Sequence, residues 1–129
     1  MRLAVDVVVV VDELVLLVSR RNEPFKELLA LPGGFVEEDE LLVEAACREL
    51  AEETGVLVDE FVFVDVFDAV DRDPRGRVVS VAFAIRLSKK PSVVAGSDAA
   101  SASWTSLDEI ELLAFDHNNI LVRALEVLR

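Results

Sequence analysis

The chain has 129 residues, which is enough for one domain with a hydrophobic core and too few for two. Hydrophobic residues make up 53% and charged residues 29%, a globular and not a disordered composition. The net charge of -12 argues against a nucleic-acid partner, because phosphate backbones bind to basic surfaces. It still allows a small phosphorylated ligand, since metal ions can lie between carboxylates and phosphates.

Membrane and secreted classes are also disfavoured. Asp6, Asp12 and Glu13 interrupt the valine-rich start, so no apolar run reaches the about 18 residues of a membrane span. The N-terminus lacks a signal-peptide pattern, and the single cysteine, Cys47, cannot form an internal disulfide. These features predict a soluble, cytoplasmic protein.

Apolar runs predict the strands. Two runs, 3–11 and 14–21, are separated by a short turn and predict a β-hairpin. A connector and the Leu31–Phe35 glycine turn follow. Further strands are predicted at 56–67 and 78–87 and, after a loop at 89–101, a short strand ending at Trp104.

Three helices are predicted between and after these strands. The first covers 40–54, with Gly55 in the left-handed position that ends a helix and Cys47 in the core. A short helix starts with a capping box formed by Ser106 and Glu109, and Asp116 caps the last one. This order predicts an α/β fold in which helices cover a mixed sheet.

The end of the first helix is acidic. Glu49, Glu52 and Glu53 share one helix face at three- and four-residue spacing. They lie in the last turn, where the helix dipole already disfavours negative charge. A hard divalent cation such as Mg²⁺ would turn this repulsion into coordination, although a solvated acidic face is the simpler alternative.

The surrounding spacing argues for the functional alternative. Gly34 is followed after five residues by Glu40, and after seven more by Arg48-Glu49-Leu50-Ala51-Glu52-Glu53-Thr54-Gly55-Val56. All nine specified positions resemble the Nudix box, G-x5-E-x7-R-E-U-x-E-E-x-G-U, in which U is aliphatic. The resemblance implies a Nudix fold, which is an α/β/α sandwich with a loop-helix-loop motif. We therefore expect one Nudix domain over 1–129, with its box at 34–56.

The resemblance also implies roles for individual residues. Glu49, Glu52 and Glu53, with the carbonyl of Gly33, would hold Mg²⁺ or Mn²⁺. Arg48 would orient the glutamates, and Glu40 would tie the loop to the helix. The general base would be one of these glutamates or a carboxylate of a distant loop. Asp98 is the candidate in that loop, and a solvated aspartate is its alternative interpretation.

Segments outside the box resemble the ADP-ribose pyrophosphatase branch of the family. They include Arg20–Lys26, Arg72–Gly76 and Phe115–His117. Arg20, Arg72 and Arg75 are the predicted contacts to phosphate or ribose, because guanidinium groups suit both. The Arg72–Gly76 loop could also be only a tight turn. We expect His117 to pack or cap and not to act as a base.

The resemblance predicts hydrolysis of a small nucleotide, with ADP-ribose converted to AMP and ribose 5-phosphate. One alternative is a MutT-type hydrolase of modified nucleoside triphosphates. Another is a non-catalytic ADP-ribose sensor, although such regulators carry a DNA-binding domain and tend to lose box glutamates. A homodimer is also expected from the resemblance to this branch.

Overall fold

A computed structural model describes residues 1–96 and 99–129 as one mixed sheet between two α-helices. The strands are β1 (Arg2–Val11), β2 (Leu14–Arg20), β3 (Leu29–Ala30), β4 (Gly33–Phe35), β5 (Val62–Phe67), β6 (Val78–Arg86) and β7 (Ala99–Ser106). The helices are α1 (Leu42–Thr54), α2 (His117–Val127) and a 3-10 turn (Leu107–Glu109).

Strand β1 lies at the centre of the sheet. The main order is β3-β2-β1-β6-β5, while β4 pairs with β1 and β7 pairs with β2. The β1–β6 pair is parallel, and the other pairs are antiparallel. The short β4 therefore brings the glycine turn directly against the central strand.

Alternation along β1 builds a core on each face of the sheet. Val5, Val7 and Val9 pack with residues of α1, whereas Val8 and Val10 pack with residues of α2. Successive side chains of a strand point to opposite faces, so an all-valine run can serve two helical layers at once. The predicted α/β/α sandwich with a mixed sheet is confirmed.

The hairpin of β1 and β2 is also confirmed, and the boundaries of β5 and β7 differ from the prediction by more than one residue. The predicted strand at 56–67 pairs with β6 only from Val62, because the residues after Gly55 first cross from the helix layer to the sheet edge. The predicted loop at 89–101 is shorter, because Ala99–Ser101 already pair with β2.

Helix α1 begins two residues later than predicted and ends as expected. Gly55 has a φ of 74° and its N–H donates to the Ala51 carbonyl, which confirms the left-handed cap. Ser106 and Asp116 occupy the predicted N-cap positions, but neither side chain makes a capping hydrogen bond. The Asp116 carboxylate instead accepts two hydrogen bonds from Arg72.

Cys47 and Trp104 are only partly buried. Cys47 is half-buried and lines a small groove, so the prediction of a fully buried thiol is wrong. Trp104 packs on the α1 side of the core while its indole N–H donates to the Pro91 carbonyl. In the part of the chain that the structure describes, no helix is long and apolar enough to cross a membrane.

Candidate active site

The glycine turn makes close contact with both β1 and α1. A Cβ on Gly33 would overlap the Val5 carbonyl oxygen, and one on Gly34 would lie 2.5 Å from the carboxylate carbon of Glu49. Close approach of the β1 backbone therefore requires glycine at position 33, and a side chain at position 34 would displace the Glu49 carboxylate. The turn thereby brings its backbone against the acidic end of α1.

Two box glutamates face this turn. The Gly33 N–H donates to Oε2 of Glu53 at 3.1 Å, while the carboxylate of Glu49 lies against Gly34. The two glutamates are one helical turn apart, so their carboxylates follow the same side of α1. A backbone donor and the helix thus fix where the negative charge is placed.

Arg48 donates hydrogen bonds to three carboxylates around the turn. Its guanidinium donates to Glu40 at 3.0 and 2.6 Å, to Glu49 at 2.8 Å, to Glu52 at 3.2 Å and to the Phe35 carbonyl at 3.1 Å. These bonds, with that to Glu40 the strongest influence, raise the pKa of Arg48 above its ordinary value. One arginine therefore ties the loop, the turn and the helix together.

Glu40 is held as a carboxylate in this arrangement. Its hydrogen bond from Arg48, followed by one from the Glu37 N–H, lowers its pKa from 4.5 to about 2. Glu44, on the first turn of α1, accepts the Leu41 N–H. Glu40 thus links the residues before α1 to Arg48.

A cleft of about 520 Å³ opens beside the turn, a volume within the range of small-molecule sites. It is lined from one side by Glu49 and Glu53 and from the other by the end of β2, the 72–75 loop and the start of α2. Phe35 and Phe115 contribute aromatic surface. Acidic groups, arginines and aromatic rings therefore share one concave surface.

Two of the predicted arginines lie over the rings of this cleft. The Arg75 guanidinium lies 5.3 Å from the centroid of Phe35 and 5.5 Å from that of Phe115. Arg20 lies 4.9 Å from the Phe115 centroid and donates to the Pro24 carbonyl at 2.6 Å. Burial, and then the neighbouring charge of Arg75, lowers the pKa of Arg20. Together they place two positive charges at the cleft wall.

The third arginine is positioned differently. The side chain of Arg72 is only 4% exposed, and its Nε and Nη2 donate to the two carboxylate oxygens of Asp116 at 2.9 and 2.7 Å. Arg75, in contrast, is 38% exposed and pairs with Asp73 of the same loop. The geometry of Arg72 favours a role in holding the loop to α2.

A buried polar cluster that the sequence did not reveal lies under the turn. Asp6, in the middle of β1, accepts a hydrogen bond from Ser80 of β6 and lies 3.2 Å from Nε2 of His117 and 3.8 Å from Arg72. Burial alone would raise the pKa of Asp6, but His117, Ser80 and Arg72 together lower it. A lone carboxylate within the apolar run 3–11 was the available signal.

The structure brings most of the predicted site residues into one cleft. Those that line it are Gly33, Arg48, Glu49, Glu53, Arg20, Arg72 and Arg75. Glu52 lies beside the cleft, with its side chain 53% exposed and bonded to Arg48. Asp98 falls outside the described residues.

The donor set fits a hard divalent cation. Its groups are carboxylate and carbonyl oxygens, the ligands that Mg²⁺ and Mn²⁺ prefer. Within residues 1–96 and 99–129, no three acidic, histidine or cysteine side chains form a ready-made metal cluster. Mg²⁺ is commonly bound by one or two carboxylates together with phosphate oxygens of the substrate, so the pair in the cleft suffices for such a site.

Comparison with known proteins decides the family. The family model described as "NUDIX domain" matches residues 1–125. The chain belongs to the NUDIX domain family. The Nudix box proper, 34–56, is the segment that runs from β4 through α1 to the residue after Gly55.

Among characterised Nudix relatives, an ADP-ribose pyrophosphatase from Methanocaldococcus jannaschii is 42% identical over 118 residues, covering 92% of this chain and 69% of the relative. The NUDIX domain of Shewanella oneidensis NrtR, solved with ADP ribose, matches with a TM-score of 0.93 at 33% identity, over 100% of this chain and 89% of that one.

A third Nudix relative is a bifunctional NMN adenylyltransferase/ADP ribose pyrophosphatase from Francisella tularensis, solved with AMP and a Mn ion. It matches with a TM-score of 0.90 at 35% identity over 98% of this chain. The match spans only 41% of that longer protein, so it bears on the Nudix part alone.

Proposed function

We propose that the chain is a divalent-metal-dependent pyrophosphohydrolase that converts ADP-ribose to AMP and ribose 5-phosphate. The observation that carries this proposal is the shared cleft, which Glu49, Glu53, Arg20 and Arg75 all line. Acidic groups suit metal binding, and nearby guanidinium groups suit a phosphorylated substrate. The 42%-identical ADP-ribose pyrophosphatase and the NrtR domain solved with ADP ribose support this choice of substrate.

The metal site of the proposal consists of Glu49, Glu52, Glu53 and the Gly33 carbonyl, with Mg²⁺ or Mn²⁺ as the cation. When bound, such a cation neutralises charge on the pyrophosphate and lowers the pKa of a coordinated water. The Mn ion solved in the Francisella tularensis relative supports a divalent cation in a fold of this kind.

The protein's own contribution is to hold the carboxylates before substrate arrives. Arg48 bonds Glu49 and Glu52, and the Gly33 N–H bonds Glu53. Because these contacts exist within the protein, the glutamates need little reorganisation during the reaction. The general base of the proposal is one of these glutamates or Asp98.

The substrate contacts of the proposal are Arg20 and Arg75 for phosphate or ribose. Both guanidinium groups lie at the cleft wall over aromatic rings, where phosphate oxygens could be reached. Arg72 is retained as a neighbour that positions the loop, because its side chain is only 4% exposed and is bonded to Asp116, whereas Arg75 is 38% exposed. A homodimer, a cytoplasmic location and the lack of a nucleic-acid partner remain predictions from the sequence.

A turnover panel tests the substrate. ADP-ribose, NADH, dinucleoside polyphosphates and nucleoside triphosphates are each supplied with Mg²⁺, and kcat/KM is compared. The proposal expects ADP-ribose to be preferred by at least about tenfold, a difference of about 1.4 kcal/mol in transition-state stabilisation. A higher kcat/KM for nucleoside triphosphates would replace this assignment with a MutT-type hydrolase.

A binding measurement separates the enzyme from a sensor. In calorimetry, a sensor would bind ADP-ribose without releasing AMP, whereas an enzyme with Mg²⁺ would consume it. The match to the NrtR domain solved with ADP ribose makes this comparison necessary. Binding without turnover in the presence of Mg²⁺ would leave the sensor as the better interpretation.

A further inference from the structure

Two segments outside the Nudix box meet in the buried polar cluster beneath the glycine turn. Arg72, from the loop between β5 and β6, makes a two-bond pair with Asp116, immediately before α2. The next residue, His117, points into the same cluster and is 5% exposed. The Arg-Asp-Pro-Arg-Gly and Phe-Asp-His segments are therefore joined through one set of contacts.

Both ring nitrogens of His117 have a partner. Nδ1 accepts the Leu31 N–H at 3.0 Å, and Nε2 lies 3.2 Å from Oδ1 of Asp6. A nitrogen that accepts an N–H carries no proton, so the proton of the neutral ring is on Nε2 and is donated to Asp6. The imidazole thus bridges a backbone donor and a carboxylate.

These two contacts hold both sides of the glycine turn. Leu31 enters the turn, and the following Pro32 has no N–H with which to anchor it. On the other side, Asp6 pairs with Gly33 in the β1–β4 ladder. The Gly33 N–H in turn donates to Glu53. A continuous path of hydrogen bonds and backbone therefore runs from His117 to a box glutamate.

The same geometry argues against His117 as a proton-transfer group. Its nitrogens are already bonded, and it is buried below the turn. We propose that His117 is a positioning residue that holds the glycine turn, and through Gly33 the carboxylate of Glu53, in the geometry required for hydrolysis. This inference rests on the proposed hydrolase function.

Three substitutions at one position separate the contacts. His117→Asn can keep an acceptor where Nδ1 stands but loses the reach to Asp6. His117→Gln can keep a donor towards Asp6 but loses the acceptor for Leu31. His117→Phe keeps an aromatic ring and loses both. Ile120→Ala, on the same helix and in the same core cluster as Leu31, is the control because it weakens α2 packing but leaves both hydrogen-bonding nitrogens of His117 in place.

Steady-state kinetics with ADP-ribose and Mg²⁺ form the first readout. We expect His117→Phe and His117→Gln to lower kcat by at least about tenfold with KM changed less than about threefold, because misplaced catalytic groups affect the transition state more than binding. Ile120→Ala should stay within about threefold of the wild-type kcat, and His117→Asn, which keeps the Leu31 contact, should lose less kcat than His117→Phe. An undiminished kcat in His117→Phe, or an equal loss in Ile120→Ala, would overturn the proposal.

Amide hydrogen exchange of the metal-free protein forms the second readout and needs no turnover. Leu31 and Gly33 should lose protection in His117→Phe and keep it in His117→Asn and Ile120→Ala. Unchanged protection of both amides in His117→Phe would overturn the proposal. If the wild type fails to hydrolyse ADP-ribose, the proposed function fails, and the exchange result alone still decides whether His117 holds the turn.

Discussion

The positive charge of Arg48 offsets part of the negative charge of the box glutamates at the end of α1. Like charges at helical spacing, close to the negative end of a helix dipole, destabilise a helix by a few tenths of a kcal/mol each. Arg48 offsets part of this through Glu40, Glu49 and Glu52. Glu53 instead accepts the Gly33 N–H. The arrangement keeps negative charge at the cleft without unfolding the helix.

Glu53→Gln tests the catalytic assignment of this helix. The amide keeps the size of the side chain but removes its charge, so we expect kcat for ADP-ribose with Mg²⁺ to fall on the order of 100-fold or more. The exposed Glu60→Gln provides a control with the same chemical change away from the cleft. If Glu53→Gln hydrolyses ADP-ribose as fast as the wild type, the helix does not have the role assigned to it.

The Glu40–Arg48 pair predicts a pH dependence of stability. Because the pKa of Glu40 is lowered from 4.5 to about 2, its carboxylate stabilises the fold fully above about pH 4.5. That contribution is lost as the pH falls towards 2 and the folded protein takes up the proton. Thermal unfolding is measured from pH 7 to pH 2. The Tm of the wild type should exceed that of Glu40→Gln at pH 7, and the two Tm values should converge at low pH. A difference in Tm that stays constant across this pH range would contradict the prediction.

Individual residues were predictable where chain spacing alone sets their geometry. Glu49, Glu53 and Arg48 could be found because a helix converts fixed spacing into a shared face. Asp6 and Ser80 could not, because 74 positions separate them and only the parallel β1–β6 register brings them together. The pairing of Arg72 with Asp116, 44 positions away, was equally out of reach of local patterns.

At the scale of elements, the end of α1 is supported by the segment before β7. The N–H groups of Val94 and Gly96 donate to the carbonyls of Thr54 and Glu53, both at 2.9 Å. The last carbonyls of a helix have no partner within it, so these bonds complete them. The backbone of Gly96 is packed so closely that a Cβ would overlap the Glu52 carbonyl.

Gly96→Ala should therefore disturb the catalytic helix end. We expect the free energy of unfolding to fall by about 1–3 kcal/mol, since the added methyl forces the backbone apart. The value of kcat should fall as well, because Glu52 and Glu53 move with the helix end. Ala95→Ser is the control, as its exposed side chain meets no such contact. Equal urea-unfolding midpoints for Gly96→Ala and wild type would contradict the close packing.

The loop that connects β5 to β6 offers a matched pair of arginines. Arg72→Gln leaves the buried ends of Asp116 and Asp6 without their positive partner, so we expect a loss of about 3 kcal/mol in unfolding free energy. Arg75→Gln removes a side chain that is 38% exposed, and the buried Asp73 keeps its hydrogen bond from the backbone N–H of residue 75, so the loss should be smaller, about 1–2 kcal/mol. Urea unfolding of both variants checks the order, and a larger loss for Arg75→Gln would contradict it.

Elements were predicted best where local chemistry decides them. The span of α1 and its Gly55 cap follow from periodicity and backbone preference. Ser106 and Asp116 stand at the predicted N-cap positions, but their predicted side-chain bonds do not form, and the Asp116 carboxylate bonds Arg72 instead. The start of β5 was predicted too early. The apolar residues after Gly55 have the pattern of a strand, but they have no neighbouring strand to pair with until Val62.

For the whole molecule, the sheet brings separate segments to one cleft. β1 carries Asp6, β4 carries the glycine turn, and α1 and α2 approach from opposite faces. The alternation of strands and helices along the chain was enough to predict the layers. It could not predict the cleft, because its geometry depends on close contacts between Gly33 and the backbone of β1 and between Gly34 and the side chain of Glu49.

The central claim is that this cleft hydrolyses the pyrophosphate bond of ADP-ribose with a divalent cation. The most direct measurement incubates the purified chain with ADP-ribose and Mg²⁺ and separates the products by chromatography, with and without EDTA. The account predicts equal amounts of AMP and ribose 5-phosphate, and no products once EDTA removes the cation. Intact ADP-ribose in the presence of Mg²⁺, or product formation that EDTA leaves unchanged, would contradict it.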